Sequence, residues 1–241
     1  MDVSLIAAGA IVGGLVGATG LGAAALMTPL LALGFGVPLA IAVSTDLVYA
    51  AVTKAVAATR YAHQGHTQWR WVGWMAAGSL PAAMMTGVWI APAIQDQTLG
   101  WMIGAILLVM ALSPSWGRTG SDSASPVKLL LSGVVIGTLV SLTSVGAGVL
   151  GTIALLCFAS IRGSAALVGT ELTHALALSA VASLTHLGLG RVDFELLLPL
   201  LLGGVPAAYL GARLGPQVPL NWIKHIARAL IALAAIKMMA G

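Results

Sequence analysis

Long apolar runs broken by short polar stretches dominate the chain. They cover roughly residues 3–35, 38–62, 69–91 and 98–114, and then 127–160, 163–187, 194–215 and 220–240. Runs of this length lack the strict alternation of half-buried strands and match helices that cross a bilayer, each needing about 20 apolar residues. The pattern predicts an all-α polytopic membrane protein with seven to eight apolar segments. The stretch 115–126, SWGRTGSDSASP, is rich in Ser and Gly and reads as a linker between a first membrane repeat, 1–114, and a second, 127–241.

The first segment of each half is too long for one crossing. Residues 3–35 as continuous helix would extend about 50 Å, against a hydrocarbon core of about 30 Å. Each is also interrupted midway, by GLVGATGLGAA at 14–24 and TLVSLTSVGAG at 138–148, where glycine weakens a helix and permits unusual backbone. Two readings follow. Each segment is either one long tilted span, with four crossings per half and parallel repeats, or a re-entrant hairpin of two short helices, with three crossings per half and repeats of opposite orientation.

The halves repeat one another. Residues 40–83 align without a gap onto 165–208 at an offset of 125, and 13 of the 44 pairs are identical, including Thr45/Thr170, Gly65/Gly190, Gly78/Gly203 and Pro81/Pro206. A duplicated apolar chain is the pattern of secondary transporters, whose site lies between the halves near the middle of the bilayer. Basic residues separate the two readings, because cytoplasmic loops are enriched in Lys and Arg. Hairpins place Arg60, Arg70, Arg118, Lys128, Arg162, Arg213, Lys224 and Arg228 on one side and Arg191 and Lys237 on the other, eight against two; long spans divide the same residues six against four. The distribution favours two inverted-topology repeats, each a broken or re-entrant first segment plus three transmembrane helices, with the 60–70 loop cytoplasmic.

Composition agrees. Hydrophobic residues make up 59% of the chain and charged residues 7%, against roughly 45–50% and about 25% in soluble domains. No sizeable soluble domain fits, so function is expected inside the bilayer. The net charge of +4 is scattered over loops, which argues for orientation and against nucleic-acid binding. No Lys or Arg precedes the first apolar run, so a cleavable signal peptide is not expected and residue 1 is taken as mature. Cys157 stands alone, which excludes an intramolecular disulfide and a multi-Cys metal site. His63 and His66 lack the partners of a metal centre, so no metal and no cofactor is assigned. The seven Trp residues fall mostly near segment ends and read as interfacial anchors.

Two constellations remain for chemistry. Non-helical backbone at membrane depth must be buried in protein or line a wet cavity. At the glycine breaks, helix N-termini with free N–H groups suit a small anion, with Thr19, Gly20 and Gly22 in the first half and Thr143, Ser144, Gly146 and Gly148 in the second. Close packing through small residues is the competing reading. The second constellation is a pair of matched acids, Asp46 and Glu171, each following an aligned threonine, Thr45 or Thr170. Both are expected near the midplane around one shared cavity. An intramembrane carboxylate is costly and marks a functional site by default. Lys54 lies two turns after Asp46 on roughly the same face, and His174 three residues after Glu171. These groups suit substrate binding or a proton relay, with Asp46, Glu171 and His174 as the proton-coupling candidates; a structural ion pair is the alternative. His186, the repeat mate of Tyr61, is expected to serve at the interface. The faces GGLVG and 203–215 suit internal packing or a homodimer seam. There is no Ser/His/acid constellation, metal-ligand spacing or nucleotide loop of an enzyme.

At these residues the chain resembles the TauE/SafE sulfite exporter family, also grouped as the 4-toluene sulfonate uptake permeases. The resemblance spans nearly the whole chain and rests on GATGLGAAALMTP, on STDLVYAAVTK with its downstream HQGHTQW, and on LVGTELTHALALSAVASLTHLGLGRVDF followed by GGVPAAYLGARLG. It implies a multi-pass transporter of the bacterial inner membrane for small sulfur-containing anions such as sulfite, sulfoacetate or thiosulfate, in export or in uptake. The chain departs from the family pattern in two ways: Glu171 stands where Asp is expected, and Ala147 and Ala23–Ala24 thin out the glycine runs. A passive anion channel is the nearest alternative function.

Overall fold

The computed structural model describes residues 3–19, 24–112, 124–161, 163–214 and 231–238. Among them every regular element is helical, as the apolar pattern predicts. The helices are α1 (Val3–Thr19), α2 (Ala24–Pro29), α3 (Leu39–His63), α4 (Trp69–Met85), α5 (Asp96–Leu112), α6 (Pro126–Thr143), α7 (Ala147–Phe158), α8 (Ser164–Gly188) and α9 (Phe194–Leu214). A π-helical turn, Leu30–Gly34, prolongs α2, and another, Thr86–Ile90, prolongs α4. Helices α3, α6, α8 and α9 are long and apolar enough to cross a membrane. Apolar side chains such as Ile11, Val109, Leu131 and Leu198 stay exposed on the outside, the expected state of surfaces that meet lipid.

The break predicted in the second half lies between α6 and α7. Ser144 closes α6 in the left-handed region at φ 57°, with its N–H donated to Val140 O, and Gly146 at φ 107° opens α7. Glycine suits the second of these positions because it has no Cβ to strain there. The chain then turns back on itself: Ser125 N–H, just before α6, donates to Phe158 O at the end of α7, 2.9 Å away. Both ends of the segment therefore lie together, so 127–160 is a helix–turn–helix and not one continuous span. In the first half the corresponding break, 20–23, is outside the described residues.

The equivalent helices α3 and α8 pack against each other and run antiparallel. Ser44 near the start of α3 meets His186 near the end of α8, Lys54 meets Ser179, and Tyr61 near the end of α3 meets Gly169 near the start of α8. Cross-contacts then recur when the halves are exchanged. Asp193 N–H donates to Thr45 Oγ1 at 3.1 Å, and Gln68 N–H, its counterpart at the offset of 125, donates to Thr170 Oγ1 at 3.0 Å. Helix α1 lies on α9, and α6 lies on α4. At Gly9, Gly13 and Gly17 a Cβ would strike the backbone of Leu200, Gly204 and Ala208; at Gly133 and Gly137 it would strike that of Met75 and Ser79. Backbone approach this close needs small residues on both helices. The small-residue faces of 13–17 and 203–211 are thus engaged inside the chain.

Each half lends its first helix to the other, so the halves interlock and cannot move apart as two blocks. Trp69, Trp89 and Trp101 are exposed as expected of anchors, whereas Trp71 turns inward and is 5% exposed. The Arg70 guanidinium lies over its ring at 5.0 Å.

Candidate functional site

The polar groups of the bilayer interior converge on the α3–α8 pair. Lys54 Nζ donates to Ser179 Oγ at 3.1 Å, and these two residues are repeat mates at the offset of 125. Lys54 is 3% exposed and interacts electrostatically with both Asp46 and Glu171. Asp46 is eight residues before Lys54, and Glu171 eight before Ser179, about 12 Å of helix in each case. Because α3 and α8 are antiparallel, the two acids lie in opposite directions from this centre. The expected single cavity shared by both acids is therefore replaced by one cation with an acid on either side.

Local packing distinguishes the two acids. Asp46 is fully buried and its Oδ2 accepts hydrogen bonds from Thr28 Oγ1 at 2.7 Å and Ser144 Oγ at 3.0 Å. One donor comes from α2 in the first half and the other from the α6–α7 turn in the second. Asp46 Oδ1 has no partner among the described residues. Glu171, 1% exposed, lies against Gly151 of α7, and neither of its oxygens has a partner among the described residues. His174 places Nε2 2.9 Å from Ser79 Oγ on α4, while its Nδ1 is unpartnered among the described residues. Buried polar groups are ordinarily paired, so the unpartnered atoms of Asp46 on one side of Lys54, and of Glu171 and His174 on the other, mark two candidate places for a ligand or proton.

The breaks contribute unequally. Thr143 Oγ1 donates to Leu139 O at 2.7 Å and accepts from Val145 N–H at 3.2 Å, which shapes the turn that presents Ser144. Gly148 is buried in the first turn of α7, where helix geometry leaves amides without intrahelical partners. Thr19 ends α1 and donates to Leu15 O at 2.7 Å. Gly20 and Gly22 lie outside the described residues. Thr45 and Thr170 sit beside the acids in sequence, and their hydroxyls hold the loops that lead into α9 and α4.

Three residues of the site were not anticipated. Thr28 is the counterpart of Thr152 at the offset of 124 seen between the breaks, a signal that lay outside the aligned block. Ser79 and Gly204 are mates whose difference follows from what they face. Tyr49, the mate of His174, fills the space where a Cβ on Gly204 would lie and donates to Gly9 O at 2.7 Å. The smaller imidazole of His174 leaves room for a serine, which then hydrogen-bonds it. His186 is no interfacial ring: it is 3% exposed, with Nδ1 2.8 Å from Ser44 Oγ and Nε2–H donated to Ser141 O at 2.9 Å. It ties α8 to α3 and α6, because both of those helices offer it a polar atom at one level. A small, mostly apolar cleft is lined by Ala40, Val43, Ala91, Ile94, Leu99, Leu142, His186 and Arg191, with Val43 one helical turn before Asp46.

Comparison with known proteins agrees with this picture. The family profile described as "Sulfite exporter TauE/SafE" matches residues 5–238. The chain is also 33% identical over 257 residues to "Probable membrane transporter protein YjnA" of Bacillus subtilis (strain 168), covering 99% of this chain and 100% of the relative. No solved structure matches it.

Proposed function

We propose that this chain, which belongs to the sulfite exporter TauE/SafE family, is a secondary transporter that exports small sulfur-containing anions such as sulfite or sulfoacetate by alternating access. Membership makes it a multi-pass membrane transporter; substrate, direction and coupling are our reading, as is its place in the bacterial inner membrane. The observation that carries the reading is the Lys54–Ser179 centre with an acid on either side. A buried cation at the middle of a bilayer is costly and gives an anion a reason to pass.

In this reading the anion is held by Lys54 and the second break, with Thr143, Ser144, Gly146 and Gly148 shaping the pocket and Thr19, Gly20 and Gly22 as the counterpart from the first half. Thr45 and Thr170 set the depth of the acids. Glu171 and His174 take the coupling proton, since their unpartnered atoms can accept one without first breaking a bond. The antiparallel α3–α8 pair and the exchanged contacts support inverted repeats. The α1–α9 and α4–α6 pairs are bound through backbone contact, so they move as two arms about the α3–α8 centre, each arm containing a helix from each half. Single cysteines at 65 and 190 are then labelled from opposite faces of the membrane.

Purified protein in liposomes tests the reading through the flux of sulfite, sulfoacetate and thiosulfate, with and without a pH gradient. Saturable flux of at least one anion is expected. No flux under either condition refutes transport of this class, and unitary currents in planar bilayers would establish a passive channel instead.

A further inference from the structure

The acid at the second break stands where an incoming anion would have to bind. Asp46 Oδ2 takes the hydroxyl protons of Thr28 and Ser144, donors supplied by both halves of the chain. Ser144 belongs to the left-handed turn that precedes the first amides of α7, a helix of 12 residues. Two hydroxyls converging from different helices are donors suited to an oxyanion, and a fully buried carboxylate with its other oxygen unpartnered among the described residues already occupies them. A carboxylate and a sulfur oxyanion ask for the same thing, hydrogen-bond donors around a negative charge. Two anions at one set of donors repel each other.

We infer that the Asp46 carboxylate is a tethered stand-in for the transported anion, held by Thr28 and Ser144 until substrate displaces it from them. The empty transporter thereby keeps its donors satisfied, and the hydroxyl bonds from α2 and from the α6–α7 turn hold the two halves together at this level. Substrate takes the donors over, Asp46 swings clear or is neutralised, and the link between α2 and the turn is released. Recognition of the anion and release of the closed arrangement become one event. The inference rests on the transport reading above, and adds to it a competition inside the chain.

The competition has a signature that a merely structural hydrogen bond lacks. Asp46→Asn removes the competing charge and keeps the shape, whereas Ser144→Ala removes a donor that acid and substrate share. Asn keeps an amide oxygen that accepts from Thr28 and Ser144, more weakly than the carboxylate does, and Ser144→Ala removes the donor; both therefore weaken the same Asp46–Ser144 link, and a structural role shifts anion affinity in the same direction in both variants. The stand-in shifts it in opposite directions: tighter in Asp46→Asn, and weaker in Ser144→Ala, each by about tenfold, the size expected of one hydrogen bond to a charged group.

Affinities for sulfite, sulfoacetate and thiosulfate are to be measured by titration calorimetry on the detergent-purified wild type and the two variants, with thermal unfolding as the check on folding. Opposite shifts support the inference. Shifts of the same sign, or unchanged affinity in Asp46→Asn, overturn it while leaving the transport reading intact. Binding of no anion by any of the three proteins overturns the transport reading and the inference with it. Should Asp46→Asn fail to fold, Asp46→Ala takes its place beside Ser144→Ala with the same requirement of opposite shifts, and unchanged or weaker binding in Asp46→Ala overturns the proposal.

Discussion

Asp46 and Glu171 occupy equivalent places on α3 and α8, yet one accepts two hydroxyl hydrogen bonds and the other has no partner among the described residues. The neighbours differ in the same way. Tyr49 presses on Gly204 and donates to the α1 backbone, whereas His174 meets Ser79 with one nitrogen and leaves the other open. The first-half acid is clamped by hydrogen bonds, whereas the second-half acid has none among the described residues and only the charge of Lys54 to balance it. Duplication supplies two equivalent frames, and in the function proposed above a few side chains make one a binding clamp and the other a place for a proton. Lys54 stands between them and is the only member of its repeat pair that carries charge, since its mate is Ser179.

Removing that central cation should have the largest effect. Lys54→Met leaves two buried acids with nothing to balance them, and breaking such an arrangement costs about 3–5 kcal/mol. Initial anion uptake into proteoliposomes is expected to fall at least about a hundredfold; a rate near wild type would show that the comparison between the acids does not turn on Lys54. Importing the second-half solution into the first half tests the Tyr/Gly and His/Ser pairing. Gly204→Ser collides with Tyr49 and should lower stability by about 1–3 kcal/mol. Adding Tyr49→His should restore part of that loss in detergent unfolding. A double variant no more stable than the single one would break the pairing. The smallest effects should come from the scaffold contacts. Thr45→Val and Thr170→Val each remove one accepted hydrogen bond, worth about 1 kcal/mol, and should lower stability by similar amounts. A several-fold difference would contradict the equivalence of the two frames.

Much of this was legible in the sequence, for reasons that can be traced. Hydrophobic length marked the helices, and the glycine breaks marked the turn at 144–146, because the segment is too long for one crossing and glycine permits the left-handed backbone a turn needs. The offset of 125 paired Thr45 with Thr170 and Lys54 with Ser179. Contacts between distant segments were not legible. That α1 lies on α9 while α6 lies on α4 depends on backbone proximity, which a stripe of glycines permits without naming the partner. The hairpin of the second half was left open by the periodicity, and a single hydrogen bond from Ser125 to Phe158 decides it. The separation of the acids was misjudged because matched depth along two helices means a shared level only when the helices are parallel. Thr28 escaped because an isolated threonine before a proline carries no periodic signal, and His186 because a ring at a helix end looks the same whether it faces headgroups or two other helices.

The central claim is that the bare acid of the second half carries the proton that accompanies the anion. Its most direct test is the movement of protons during anion flux, followed with a pH-sensitive dye trapped in proteoliposomes. For the wild type, an inward gradient of a transported anion should acidify the lumen. In Glu171→Gln the anion should still enter, at a reduced rate, with the acidification gone. If Glu171→Gln acidifies the lumen as the wild type does, per anion moved, the proton does not travel on Glu171 and the division of labour between the two acids is wrong.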